Sequence, residues 1–311
     1  MIKSELVIIT PVYEDSESFY QLAQKIENIY SDNVSLIAIE DGSLRDVIDI
    51  KKCSYKLNTH IVRLKRNVGH QKAITVGLSY LEDKILDTAN IVVMDSDGED
   101  RPETINELLT QFDKKKVDIV VSVRKSRVEN FQFKFFYQIY RVIFQLLTGY
   151  KINFGNFMAM KLPALRRLLT YVELPVHLAG TVILSKLRVR SVLIDRGPRY
   201  AGQSKMNFAS LVLHGLKALM IFSDYVLVRL GLASLFFVGM IGIVMILTVF
   251  LKSIGLATPG WFSIVLGMLT LLLIQIAAFV LMFLMQSNNK SHFSDYSNDL
   301  IGLISNVDRA N

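Results

Sequence analysis

Apolar and polar positions follow two different rhythms along this chain. Over the first 125 residues, short apolar runs alternate with amphipathic stretches. Leu6–Thr10, Ser35–Ile39, His60–Leu64, Ile91–Met94 and Asp118–Val123 read as strands, brief apolar runs bounded by polar or turn-forming residues. Phe19, Leu22, Ile26 and Ile29 recur at helical spacing, which predicts a helix over Ser16–Tyr30; a second is expected from His70-Gln71 to about Leu81. Strands alternating with helices predict an α/β fold with a doubly wound, largely parallel sheet. Polar clusters follow at least three of the strands. Glu14, Asp41, Arg66 and Asp95 are therefore expected on one rim, where open α/β sheets hold their ligands.

The second rhythm is uniform apolarity. Between Leu230 and Asn289 the only charged side chain is Lys252. Leu230–Leu251 extends about 33 Å as a helix, enough for ~30 Å of hydrocarbon. Trp261–Met285 is longer still, with Gln275 its only strongly polar member. A buried soluble helix pair fits poorly, because both stretches exceed ordinary core length and lack a polar face. The Lys252–Gly260 link admits only a tight turn, so the outer ends lie on one side. Lys217, Arg229, Lys290 and His292 flank those ends, which predicts a cytoplasmic location for residues 1–229 and for the tail. The expected organisation is a catalytic domain over 1–225, a transmembrane hairpin over 226–287 (spans 230–251 and 261–285) and a polar tail over 288–311. Aromatic-rich 131–150 and apolar 206–225 are candidate interfacial amphipathic helices.

The net charge of +7 raises nucleic acid as a partner, but no basic stripe with stacking aromatics forms a nucleic-acid motif. Beside a membrane anchor, anionic lipid headgroups account for that charge. The lone cysteine, Cys53, excludes an internal disulfide and suits a reducing compartment. Met1–Thr10 is too short and too acidic for a signal peptide.

The chemistry concentrates where one strand ends. Ile91-Val92-Val93-Met94 runs into Asp95-Ser96-Asp97-Gly98-Glu99-Asp100, four acidic side chains in six residues. Two carboxylates one residue apart suit a hard divalent cation, which most often serves a phosphorylated substrate. An EF-hand loop needs glycine and glutamate at its sixth and twelfth positions, where this chain has Asp100 and Asn106. A haloacid-dehalogenase site needs its Asp-x-Asp strand first in the fold, and this one is the fourth. A dinucleotide site needs a glycine fingerprint after the first strand, where Pro11-Val12-Tyr13-Glu14 stands instead.

Seven segments then occur in order: Thr10-Pro11-Val12-Tyr13-Glu14, Glu40-Asp41-Gly42-Ser43, Arg66-Asn67-Val68-Gly69, Asp95 to Glu103, Ser122 to Arg127, Gly155-Asn156-Phe157 and Arg199 to Lys205. Together they resemble the motifs of inverting family 2 glycosyltransferases with the GT-A fold. Within that family the chain is similar to polyprenyl-phosphate glycosyltransferases, the branch of dolichyl-phosphate mannose synthase and bactoprenol glucosyltransferases. The resemblance spans about residues 4–287.

The resemblance implies a role for each motif. Pro11, Tyr13, Glu14, Asp41, Arg66 and Asp95 would bind the nucleotide sugar. Asp95 and Asp97, with Glu99, would hold Mg²⁺ or Mn²⁺ on the donor diphosphate. Arg124, Arg127, Arg199, Ser204 and Lys205 would hold phosphate oxygens of acceptor or donor, a task suited to guanidinium forks. Asp97, Asn156 and Asp100 are the candidate catalytic residues. Two positions depart from the family's pattern: Glu99 replaces a common glutamine, and Asn156 replaces an aspartate of the nearest relatives. Asparagine cannot accept a proton. A phosphate monoester, however, is already mostly dianionic at pH 7 and requires no base.

The expected activity is metal-dependent, inverting transfer of one sugar from a nucleotide sugar, a UDP-sugar favoured, to a polyprenyl phosphate. It would take place on the cytoplasmic face of a bacterial plasma membrane, in an integral membrane protein with scope for homo-oligomers. A processive polysaccharide synthase is the alternative within the enzyme class; it usually carries a Gln-x-x-Arg-Trp motif, and the only tryptophan here is Trp261. An inactive membrane scaffold with the same fold is the other alternative.

Overall fold

The computed structural model describes residues 2–30, 33–53, 56–112, 116–124, 131–201, 208–256, 258, 260–287 and 296–310. The chain divides into two compact units. One joins Met1–Phe133, Ile152–Ile221 and Phe293–Asn311; the other joins Lys134–Lys151 and Phe222–His292.

Four of the five expected strands start the first unit: β1 (Leu6–Val12), β2 (Val34–Glu40), β3 (Asn58–Leu64) and β4 (Asn90–Val93). They pair in parallel, β4 and β2 flanking β1 and β3 beyond β2. Period-two alternation sorts their side chains onto two faces. Ile8, Leu36 and Ile61 pack with Phe19, Leu22 and Ile26 of α1 (Ser16–Ile29). Ile9, Ile37 and Val62 pack with Ala73, Ile74 and Val76 of α2 (His70–Leu81). The doubly wound reading therefore holds, and the fold is GT-A-like.

Beyond β4 the sheet becomes mixed. α3 (Ile105–Leu109) leads to β5 (Ile119–Arg124), the fifth expected strand. β6 (Phe154–Lys161) then inserts antiparallel between β4 and β5. α5 (Leu162–Leu169) and α6 (Leu178–Leu184) follow, and β7 (Val189–Ile194) pairs in parallel with β5. Pro11 lies inside β1 without breaking it. Its side of the strand faces β4, whose register stops at Val93 opposite Ile9, so no partner there requires an N–H.

Residues 304–309, within the stretch expected to be a polar tail, form a strand. α10 (Tyr296–Ile301) precedes β8 (Ile304–Arg309), which pairs antiparallel with β3 and covers that sheet edge. Arg63 Nε donates to Asp308 at 2.7 Å, its Nη1 pairs with the buried Glu40, and its Nη2 donates to the Ile48 carbonyl at 2.7 Å. The tail is less polar than expected: Leu300 is buried, and Leu303, Ile304 and Val307 pack against the core, adding apolar contact to the backbone pairing and the Arg63 fork.

Within the second unit, α4 (Phe131–Thr148) ends at Gly149, whose φ of +83° closes the helix in the left-handed region. Arg229 caps that end, its Nη1 donating to the Leu146 carbonyl at 2.6 Å. Arg229 belongs to α8 (Ser223–Ser253), which starts seven residues before the expected span; α7 (Phe208–Ile221) ends separately. α8 packs against α9 (Trp261–Ser287). Their most apolar windows are only 11% and 0% buried, and both helices are long and apolar enough to cross a membrane.

His60 on β3 is buried, with Nδ1 lacking a partner and Nε2 3.1 Å from Asn58 Oδ1. Burial, helped by Arg309, pushes its pKa down to about 4. The unfolded histidine titrates near ~6.5, so the unfolded state takes up the proton first as pH falls. Stability is thus complete above pH ~6.5 and declines toward pH ~4, by at most roughly 3 kcal/mol. Thermal unfolding of the detergent-solubilised protein between those pH values should show a flatter decline in His60→Leu than in wild type. Parallel declines would remove His60 as the cause.

Candidate active site

The carboxyl ends of β1, β2 and β4 leave the sheet together, and the polar loops that follow meet there. Asp41, at the end of β2, is 2% exposed. Its Oδ1 accepts from Val68 N at 2.7 Å and its Oδ2 from Gly69 N at 2.9 Å. Gly42, at φ +66°, lets the two loops touch, since a Cβ there would stand 2.3 Å from the Arg66 carbonyl carbon. Burial pushes the Asp41 carboxyl up, against those two amides. Glu14, also left-handed at φ +47°, accepts from the amides of Leu44, Arg45 and Asp46. These carboxylates, expected on the nucleotide, hold the loops around a cleft. Pro11, Tyr13, Asp41 and His70 line that cleft, whereas Arg66 on the same loop is exposed.

The acidic loop follows β4. Asp100 Oδ2 accepts from Asp95 N at 2.9 Å, and Asp97 Oδ1 from Glu99 N at 3.0 Å. His70 Nε2 lies 3.3 Å from Asp95 Oδ1, within ion-pair reach, and that buried oxygen has no closer hydrogen-bond partner. Burial pushes Asp95 up, but His70, then Arg196 and Arg124, hold it below the usual carboxylate range. Burial and Asp95 drive Asp100 well above that range. Asp97 is raised for the same two reasons, against Arg199 and Arg196. Arg124 acts here as a nearby charge from the end of β5.

Four residues after β7 close over this loop. Arg199 Nε donates to Glu99 Oε1 at 2.9 Å, and its Nη2 pairs with Asp97 Oδ2 at 3.0 Å. Arg196 pairs with Glu99 Oε2. The Glu99 expected on a metal is therefore bound to two guanidiniums, and the Arg199 expected on phosphate is bound to carboxylates. Asn156 lies on β6, its Oδ1 accepting from Gln71 Nε2 at 2.9 Å and its Nδ2 2.8 Å from His70 Nε2. Gln71 Oε1 in turn accepts from Leu178 N at the start of α6.

Asp41, Asp95, Asp97, Glu99, Asp100, Asn156 and Arg199 thus share one rim. Arg127, Ser204 and Lys205 lie outside the described residues. His70, Gln71 and Arg196 went unread in the sequence. The first two directly follow the Arg66-Asn67-Val68-Gly69 motif and start a helix at the rim, a signal that was present.

The model of "Glycosyl transferase family 2" matches residues 7–169, which contain β1 to β6 and the whole acidic loop. The chain belongs to that family. It is a glycosyltransferase. It is 27% identical over 285 residues to an uncharacterized glycosyltransferase of Synechocystis sp., covering 86% of this chain and 85% of that one. The uncharacterized glycosyltransferase YkcC of Bacillus subtilis is 26% identical over 269 residues, 83% and 81% of the two chains. Dodecaprenyl-phosphate galacturonate synthase of Rhizobium johnstonii matches a shorter part, 25% identical over 129 residues, 40% of this chain and 37% of that one. Among solved structures, glucosyl-3-phosphoglycerate synthase of Mycobacterium tuberculosis, in complex with Mn²⁺, UDP and glucosyl-3-phosphoglycerate, superposes with TM-score 0.52. Its identity is 13%, over 71% of this chain and 80% of that one, so the likeness is one of fold.

Asp41→Asn keeps one acceptor and turns an amide NH₂ toward a backbone N–H. This glycosyltransferase variant should lose about 1–3 kcal/mol of stability. Thermal unfolding checks the loss; an unchanged midpoint would show that the two amides are satisfied elsewhere.

Proposed function

We propose that this glycosyltransferase transfers a single sugar, with inversion, from a UDP-sugar to a polyprenyl phosphate at the cytoplasmic face of a membrane. The observation that carries the reading is the buried Asp95 oxygen without a hydrogen-bond partner, one residue from Asp97 at the strand end. Hard carboxylate oxygens in that position suit Mg²⁺ or Mn²⁺. Among the described residues no three histidine, cysteine or carboxylate side chains gather into a metal cage. An ion here would be held by Asp95 and Asp97 and completed by water and substrate phosphates. When bound, such an ion would neutralise the diphosphate as it leaves.

The chain's own residues supply the rest. Pro11, Tyr13 and Asp41 frame the cleft for base and ribose. Asp41 keeps the Arg66–Gly69 loop in place, and Glu14 keeps the loop after β2 in place. Asn156, fixed by Gln71 and beside His70, would orient the acceptor without placing another negative charge before a phosphate dianion. No general base is required of it, since the acceptor oxygen is already deprotonated. Positioning and charge neutralisation then account for most of the rate.

Two exposed apolar helices long enough to cross a bilayer support a membrane anchor, and a lipid acceptor is the reason for one. The partial likeness to a dodecaprenyl-phosphate sugar synthase supports the same acceptor class. The cations flanking the hairpin support a cytoplasmic catalytic unit.

Purified protein in detergent, given labelled UDP- and GDP-sugars, undecaprenyl phosphate and Mg²⁺ or Mn²⁺, should form one mild-acid-labile glycolipid. EDTA should abolish it, and Asp97→Ala should lower the rate by about 100-fold or more. Transfer that persists in EDTA would overturn the metal assignment. Transfer only to water-soluble acceptors would overturn the lipid assignment.

A further inference from the structure

The segment Arg196–Tyr200 is fastened along the acidic loop at every level of the chain. Gly197 N donates to the Glu99 carbonyl at 3.0 Å, and Tyr200 N donates to the Asp97 carbonyl at 2.8 Å. Gly98, at φ +91°, leaves room for the Tyr200 ring, which a Cβ would meet at 2.7 Å. Gly197 is as confined, since its Cβ would lie 2.5 Å from the Gly98 carbonyl oxygen. Glu99 sits at the centre of this seam. Its two oxygens hold different guanidiniums, Oε1 that of Arg199 and Oε2 that of Arg196. It is 18% exposed, against 31% and 34% for the two arginines, so the pairs are shielded but reachable.

Arg199 bridges two carboxylates with two nitrogens of one guanidinium edge. Its Nε is on Glu99, while Nη2 is on Asp97 Oδ2. The other Asp97 oxygen accepts from Glu99 N. A cation arriving at Asp97 therefore competes with Nη2 of Arg199 and leaves the Nε contact to Glu99 untouched. A guanidinium freed at Nη2 and still held at Nε is aimed rather than released. Its planar fork then has N–H groups to offer a phosphate next to the metal.

We infer that Glu99 is a positioning residue and not a metal ligand: it is the pivot on which Arg199 turns from Asp97 to the donor diphosphate when the metal binds. The inference rests on the metal reading above. It assigns the extra negative charge at position 99 to the two arginines, where a glutamine would leave both less firmly held.

Mn²⁺ binding to the purified full-length protein, read by electron paramagnetic resonance with and without UDP, separates the possibilities. Asp97→Ala should weaken Mn²⁺ binding more than tenfold, and Glu99→Ala should change it less than threefold. UDP binding in saturating Mn²⁺ should weaken about tenfold in both Glu99→Ala and Arg199→Ala. The double variant should bind UDP no worse than Arg199→Ala alone, a non-additivity that general loosening of the loop would not produce. If Glu99→Ala does not fold, Glu99→Met, close in volume and poor as a ligand for Mn²⁺, carries the same test. Loss of Mn²⁺ in the Glu99 variant to the extent seen for Asp97→Ala would overturn the inference, as would additive effects on UDP. Failure of wild type to bind Mn²⁺ would instead overturn the metal reading itself.

Discussion

Four carboxylates packed into six residues at the end of a buried strand repel one another and lose hydration together. Everything around that loop offsets the resulting charge. Asp95 N caps Asp100, Glu99 N caps Asp97, and two arginines from beyond β7 bind Glu99 and Asp97. His70 adds a partial counter-charge from the start of α2. Such crowding persists in a fold only when the surrounding charges are fixed in place. Hence the segment after β7 is bound tightly to the loop by glycines and backbone amides, and not only by ion pairs.

The sheet exists to hold that loop in register with two others. β1, β2 and β4 are parallel neighbours, so their C-terminal ends fall on one rim whatever the loops contain. The acidic side chains nearest β1 and β2 are then committed to backbone amides. Asp41 and Glu14 form a rigid cleft from loops that have no secondary structure of their own. β8 extends the same economy of contacts at the far edge, where Arg63 joins Glu40, Ile48 and Asp308.

Membership of glycosyl transferase family 2 accounts for the catalytic unit, and the long apolar helices account for what is added to it. With the lipid acceptor proposed above, an anchored enzyme would gain effective concentration rather than a new contact. Arg229 capping the end of α4 shows how the second unit keeps its own helices together.

Much of this was legible in the residues themselves. Strand positions, the doubly wound core and the apolar helices follow from periodicity and length, which are local properties of the chain. The acidic loop was legible too, because four charges after an apolar run have few structural uses. The pairing of β6 and β7 with β5, and of β8 with β3, was not legible, since strand partners are chosen by non-local contact. The partners of Glu99, Arg199, Asn156 and Asp41 were equally hidden. Sequence proposed each of them for a ligand, from residue type and motif; tertiary structure decided which neighbour each one binds. A carboxylate's chemistry is intrinsic, but its partner is whichever donor the fold brings within 3 Å.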